Sequence, residues 1–61
     1  MTNKLMDPKE AANYLNVPLS WVRRQVRLNV LPTVRLGHYT RFRRESLDDF
    51  IKEKERGLND D

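Results

Sequence analysis

The stretch NVPLSWVRRQVRLNVLP, Asn16 to Pro32, decides how the rest of the chain is read. Within it Leu19, Val22 and Val26 recur at i, i+3 and i+7, the spacing that a 3.6-residue period places on one helix face. Ser20, Arg24 and Arg27 fall on the opposite side, with Arg23 and Trp21 on the flanks between. The pattern predicts a helix over 19–29, entered through the turn Asn16-Val17-Pro18 and broken at Leu31-Pro32. Such a helix buries one side and holds out an arginine comb on the other. That shape suits the DNA major groove, where arginine reads guanine edges.

Upstream, Asp7-Pro8-Lys9-Glu10 is a strong helix start. Asp7 can cap, Pro8 suits the first helical position, and Glu10 closes a capping box. Met6 and Ala11 are spaced for a hydrophobic staple. This predicts a first helix over 7–15 that carries Ala11, Ala12 and Leu15 and ends at Asn16, with Val17 as an apolar plug in the turn. Ala11 and Ala12 are small enough for the second helix to come close. Two helices joined by so short a turn make a helix-turn-helix pattern.

Downstream of Pro32 the rhythm changes to period two, and a β-hairpin is expected over 33–43. Val34 and Leu36 alternate with Thr33 and Arg35; Thr40 and Phe42 alternate with Arg41 and Arg43. Gly37 supplies a positive φ for the loop, and His38 and Tyr39 fall at the tip. An isolated hairpin is barely stable, so its apolar side is expected to pack on the helices and its basic side to face out. A third helix is expected over 45–56, with acids in its first turn and Leu47, Phe50 and Ile51 closing the core. Gly57 should end it, leaving residues 58–61 as a frayed tail. The fold class is therefore mainly α with a small hairpin, in a single domain over 1–61.

A chain of 61 residues is a small domain; it buries only about 60% of its unfolded surface and has a narrow stability margin. It has no cysteine, so neither disulfide nor thiolate-bound metal braces it. It has no apolar run near the roughly 20 residues that span a bilayer, and no signal-peptide h-region. A soluble cytoplasmic protein is the expectation. Net charge is only +3, but its distribution is uneven. No Asp or Glu lies between Ala11 and Arg44, while Arg23, Arg24, Arg27, Arg35, Arg41, Arg43 and Arg44 all do. A solvated face usually mixes signs; an acid-free arginine stretch points to a polyanion.

Arg24 and Arg27 are the candidates for base readout, with phosphate contact as the alternative. Arg23, nearer the core edge, suits phosphate. Ser20 suits either a phosphate or a role as a cap for the first turn. Arg35, Arg41 and Arg43 make the hairpin basic, and Tyr39 can lie along the DNA backbone or pack on the hairpin. Trp21 reads as packing, and Tyr14 as partly buried with its hydroxyl free for a phosphate. His38 has no ligand partner nearby in sequence, so no metal is expected, nor any cofactor. An enzyme is not expected either. The sole histidine sits among arginines, and Asp48 and Asp49 are neighbours on a helix and diverge by about 100°.

These motifs resemble a known family. Pro8-x-Glu10-Ala11-Ala12-x-x-Leu15 and Val17-Pro18-x-Ser20-Trp21-Val22 resemble the winged helix-turn-helix of phage and mobile-element excisionases. So do Leu31-Pro32, Val34-Arg35-Leu36-Gly37 and Arg44-Glu45-Ser46-Leu47-Asp48-Asp49-Phe50. Related domains occur in MerR-type regulators. The resemblance covers roughly residues 5 to 51. It implies a recombination directionality factor: no catalysis, cooperative binding and bending of attachment-site DNA, and an integrase directed toward excision. It also implies a bacterial host cell, association with the nucleoid when bound, and self-association on DNA. By position, Ser20, Arg23, Arg24 and Arg27 become groove and phosphate contacts, and His38 and Arg41 become wing contacts. Two departures stand out: Pro18 replaces a usual serine or threonine cap, and the wing loop is short.

Two other readings remain open on sequence. One is a small phage or plasmid transcriptional regulator of MerR-like fold. Those regulators add a long dimerising helix and an effector domain, whereas this sequence stops soon after its last apolar stripe, so a monomer that assembles on DNA is the expectation. The other is a protein-interaction module whose basic face meets an acidic partner.

Overall fold

A computed structural model describes residues 4–55. Three helices and one hairpin follow in order: α1 (Pro8–Leu15), α2 (Leu19–Arg27), β1 (Val34–Leu36), β2 (Tyr39–Arg41) and α3 (Arg44–Lys54). This is a mainly helical winged helix-turn-helix, with the hairpin as the wing. Among the described residues no helix is long and apolar enough to cross a membrane. The expected helix end at Gly57 and the tail 58–61 lie outside the described residues.

The start of α1 forms as its sequence dictates. The Glu10 N–H donates to Asp7 Oδ1 at 2.7 Å, and the Asp7 N–H donates to Glu10 Oε1 at 2.9 Å, completing the capping box. Asp7 is thus the cap rather than the first helical residue. At the other end Asn16 turns left-handed, with φ 60°. Its N–H reaches Asn13 O at 3.2 Å, and the Val17 N–H reaches Ala12 O at 3.0 Å, the two bonds of a Schellman motif. Val17 then packs against the core.

The end of α2 repeats this device. Asn29 has φ 61°, its N–H donates to Val26 O at 3.0 Å, and the Val30 N–H donates to Gln25 O at 2.9 Å. The helix therefore stops at Arg27, two residues before the expected 29. Asparagine takes the left-handed region more readily than other side chains, and that conformation cannot continue a helix. Likewise α3 starts at Arg44 and ends at Lys54, against an expected 45–56, with residue 56 outside the described part.

The core comprises Ala11, Ala12, Val22, Leu31, Phe42 and Leu47. Leu19, Val26, Leu15, Val17, Trp21 and Phe50 lean on it half-buried. The inward stripe of α2 is thus the expected one, and Trp21 packs. Two expectations about the core fail. Ile51 remains 41% exposed, because the small core is closed by Leu47 and flanked by Phe50. With Leu15, Val17, Trp21 and Val30 it lines an open apolar groove instead.

The second failure concerns the hairpin. β1 and β2 pair antiparallel with Val34 opposite Arg41, Arg35 opposite Thr40 and Leu36 opposite Tyr39. Cross-strand partners share a face, and side chains alternate along each strand. Val34, Leu36, Tyr39 and Arg41 therefore share one face, while Arg35 and Thr40 share the other with Phe42. Phe42 is fully buried, whereas Leu36 is 50% exposed. Leu36 thus ends largely in solvent and Val34 is only half-buried, while Phe42 of the return strand packs inward as expected and anchors the hairpin. A backbone bridge holds that anchor: the Met6 N–H donates to Phe42 O at 2.9 Å and the Phe42 N–H to Met6 O at 2.8 Å.

The twin asparagine ends make a testable claim about stability. Asn29→Gly should leave stability unchanged or slightly raised, since glycine takes positive φ without steric cost. Asn29→Val should lower it by roughly 1–2 kcal/mol, the cost of a left-handed L-residue. Urea unfolding followed by far-UV circular dichroism separates the two; equal stability of both variants would show that the cap does not hold α2.

Candidate nucleic-acid interface

Ser20, Arg23, Arg24 and Arg27 are all exposed on α2. At about 100° per residue they occupy one arc, opposite the stripe that leans on Val22. Arg23 lies at the arc's edge toward Leu19 and Val26. The arc carries no acid, and α2 has no acidic residue in its first turn. Pro18 occupies the cap position without a side-chain hydrogen bond. Ser20 is therefore not the cap; it sits inside the first turn, next to backbone N–H groups at the positive end of the helix dipole. Such a helix start is suited to phosphate oxygens.

The hairpin supplies a second set. Its turn is the two residues Gly37-His38, and only Gly37 has positive φ, 62°. Positive φ at the first turn position alone is the pattern of a type II′ turn, whose twist suits a two-residue hairpin. No atom lies within 4 Å of where a Gly37 Cβ would sit, so the backbone angle alone favours glycine there. Arg35, His38, Tyr39 and Arg43 are exposed. Tyr39 lies in β2, not in the loop as expected, because the loop is shorter than the sequence suggested.

Arg41 differs from its neighbours. It is half-buried; its Nη1 donates to Thr40 O at 2.9 Å, and its guanidinium lies 5.1 Å from the centre of the Tyr39 ring. Part of its hydrogen-bonding capacity is already used. It acts first as a brace for Tyr39, and it meets a ligand with fewer free donors than Arg35 or Arg43.

Tyr14 departs from its expected role. Its hydroxyl donates to the Asp48 carboxylate, and Arg44 sits 6.0 Å from its ring centre. The hydroxyl thus ties α1 to α3 and is not free for a phosphate. Nothing local in the sequence could reveal a link between residues 34 apart. Arg44 belonged to the acid-free stretch, but its place at the start of α3 beside Tyr14 was equally hidden.

Residues 5–55 match the model of a helix-turn-helix domain family, and the chain belongs to that family. DNA is the partner such a domain implies. No curated protein and no solved structure matches the chain.

The Tyr14 link can be checked by titration. The hydrogen bond to Asp48, reinforced by loss of hydration and by the carboxylate's charge, raises the Tyr14 pKa from its ordinary value of 10.0. The neutral phenol is the favoured form in the folded state. Its contribution to stability is therefore complete below the unfolded-state pKa and is lost as pH rises through the higher folded value. Asp48→Ala should bring the Tyr14 titration, followed by NMR of the ring carbons, down toward the ordinary value. An unchanged midpoint would exclude the link in solution.

Proposed function

We propose that this protein is a sequence-specific architectural DNA binder that acts as an excisionase, a recombination directionality factor. In this reading it binds and bends attachment-site DNA in several cooperative copies and directs an integrase toward excision. It performs no chemistry of its own. The observation that carries the reading is the acid-free arc of Ser20, Arg23, Arg24 and Arg27 on a helix whose other side leans on the core. The basic hairpin, with Arg35, His38, Tyr39 and Arg43 exposed, gives a second grip. The helix-turn-helix family includes excisionase-like members, which is consistent with the motifs from Pro8 to Phe50.

In this mechanism α2 lies in the major groove. Arg24 and Arg27 reach guanine O6 and N7, each good bidentate pair giving about 1–3 kcal/mol of discrimination. Arg23 and Ser20 hold phosphates at the groove edge, which positions the helix without reading sequence. The wing reaches the adjoining minor groove or backbone through Arg35, His38 and Arg43. Three or four polar side chains on α2 read only a short site. Repeated copies and integrase contacts then supply the affinity and direction that one copy lacks.

The deciding experiment is integrase-mediated excision on attachment-site DNA with and without the protein. Excision should depend on it; equal excision in its absence would overturn the directionality role and favour transcriptional regulation by the same fold. Arg24→Ala with Arg27→Ala should relax sequence preference in a gel shift. Arg43→Ala should weaken all duplexes alike and reduce the log–log salt slope by about 0.9, the value for one phosphate contact. Preference that survives the double substitution would move readout to the wing or to DNA shape. A flat salt dependence would favour an acidic protein partner instead of DNA.

A further inference from the structure

We infer that Leu36 and Tyr39, the apolar pair that closes the hairpin turn, form a wedge that enters the minor groove and partly unstacks one base step. The preferred DNA then carries a flexible pyrimidine–purine step, TA or CA/TG, beneath the wing. This rests on the DNA-binding reading above and adds to it a deformation site and a class of target sequence.

Tyr39 is 62% exposed and Leu36 50% exposed, and the register sets them directly opposite each other. Their face is turned away from that of Phe42, and among the described residues neither packs against the core. Surface hydrophobics scattered singly need no explanation, but a cross-strand pair at the end of a projecting ribbon is a shaped feature. Arg41 shares the face of the pair and stacks on Tyr39, Arg35 stands on the opposite face of the same ribbon, and no acidic residue lies between Ala11 and Arg44. That charge is complementary to DNA, and it selects a polyanion over an apolar protein surface.

Stiffness is the second argument. The two-residue turn fixes the register, and Arg41 holds the Tyr39 ring through its stack and its bond to Thr40 O. A braced side chain loses little freedom on insertion, as a wedge requires. Size is the third. Paired strands stand about 4.8 Å apart before side chains are added, while the minor groove of B-DNA is only about 6 Å wide. A ribbon bearing Leu36 and Tyr39 enters only if the groove opens, and apolar side chains placed between base pairs open it by unstacking and kinking the duplex. Pyrimidine–purine steps unstack most easily, so the wing favours them without hydrogen-bonding to their bases.

The test uses duplexes selected by the full chain from a randomised pool, with 2-aminopurine placed singly along the segment under the wing. With protein at saturation, its fluorescence should rise at one step only. A TA or CA step should recur there at a fixed distance from the bases read by α2. Leu36→Thr, which keeps a β-favouring residue, should abolish the rise per bound duplex. If that variant does not fold, replacing the TA step by a stiff AA step in the wild-type complex gives the same reading, with loss of the rise expected. A bound wild-type complex with no fluorescent step, or a Leu36→Thr complex with the full rise, would overturn the wedge while DNA binding stands. Tyr39 ring resonances unmoved in the complex would also overturn it and would leave this face to a protein partner. Failure to select any duplex would instead defeat the DNA-binding reading itself.

Discussion

The reciprocal backbone bond between Met6 and Phe42 is the constraint on which the other elements depend. It joins the segment before α1 to the end of the hairpin's return strand. The next residue on one side is Asp7, the cap of α1; on the other it is Arg43, the cap position of α3. Two helices are thus launched from a single bridge. The Phe42 side chain, fully buried, fills the space beside Ala11, Ala12, Val22 and Leu47. The wing is consequently held at its base by the core, and its far end is left free of it.

Among the described residues six are buried, two of them alanine, and so small a core leaves little margin for loosely held ends. The chain offsets this with local devices: a complete capping box on α1 and a left-handed asparagine closing both α1 and α2. Each of these satisfies backbone groups that a larger protein could leave to tertiary contacts. The exposed arc of α2 has no part in this economy. Its side chains are exposed and none is a member of the core, so packing does not dictate their identity. Three arginines on one arc without a neutralising acid are what such freedom allows.

Much of this was legible in the sequence, for a definite reason. The capping box, the α2 stripe and the outward arginines are all local patterns with a period of 3.6, and local patterns survive folding unchanged. On the hairpin Phe42 faces inward as expected, but Val34 and Leu36 do not share its face, because alternation within each strand does not say how the two strands are phased. The register after a two-residue turn sets Leu36 against Tyr39 and turns Phe42 inward, and a shift of one residue would invert every side chain. The bridge from Met6 to Phe42 and the link from Tyr14 to Asp48 join distant parts of the chain, for which no spacing rule exists. The early end of α2 does have a local signal: Leu15-Asn16-Val17 recurs as Leu28-Asn29-Val30, and both trios end a helix at a left-handed asparagine. At the site, exposure was inferable for the arginines of α2, but neither the partial burial of Arg41 nor its bond to its own strand was.

The two grips differ in what limits them. Arg23, Arg24 and Arg27 extend from a fixed helix as long, exposed side chains, so ordering them on a ligand costs about 1.5–2 kcal/mol each in rotamer freedom. Their attraction to phosphate is long-range and salt-screened, which favours rapid, loosely oriented encounter. On the wing, Tyr39 is already braced by Arg41 and the turn is already set by Gly37. That element has less freedom to lose and less ability to adapt than the arginines of α2. In the proposed reading, the flexible comb finds the duplex and the stiff ribbon tests whether it will deform. Discrimination by deformation, as proposed for the wing, would add specificity without adding a single residue to the reading helix.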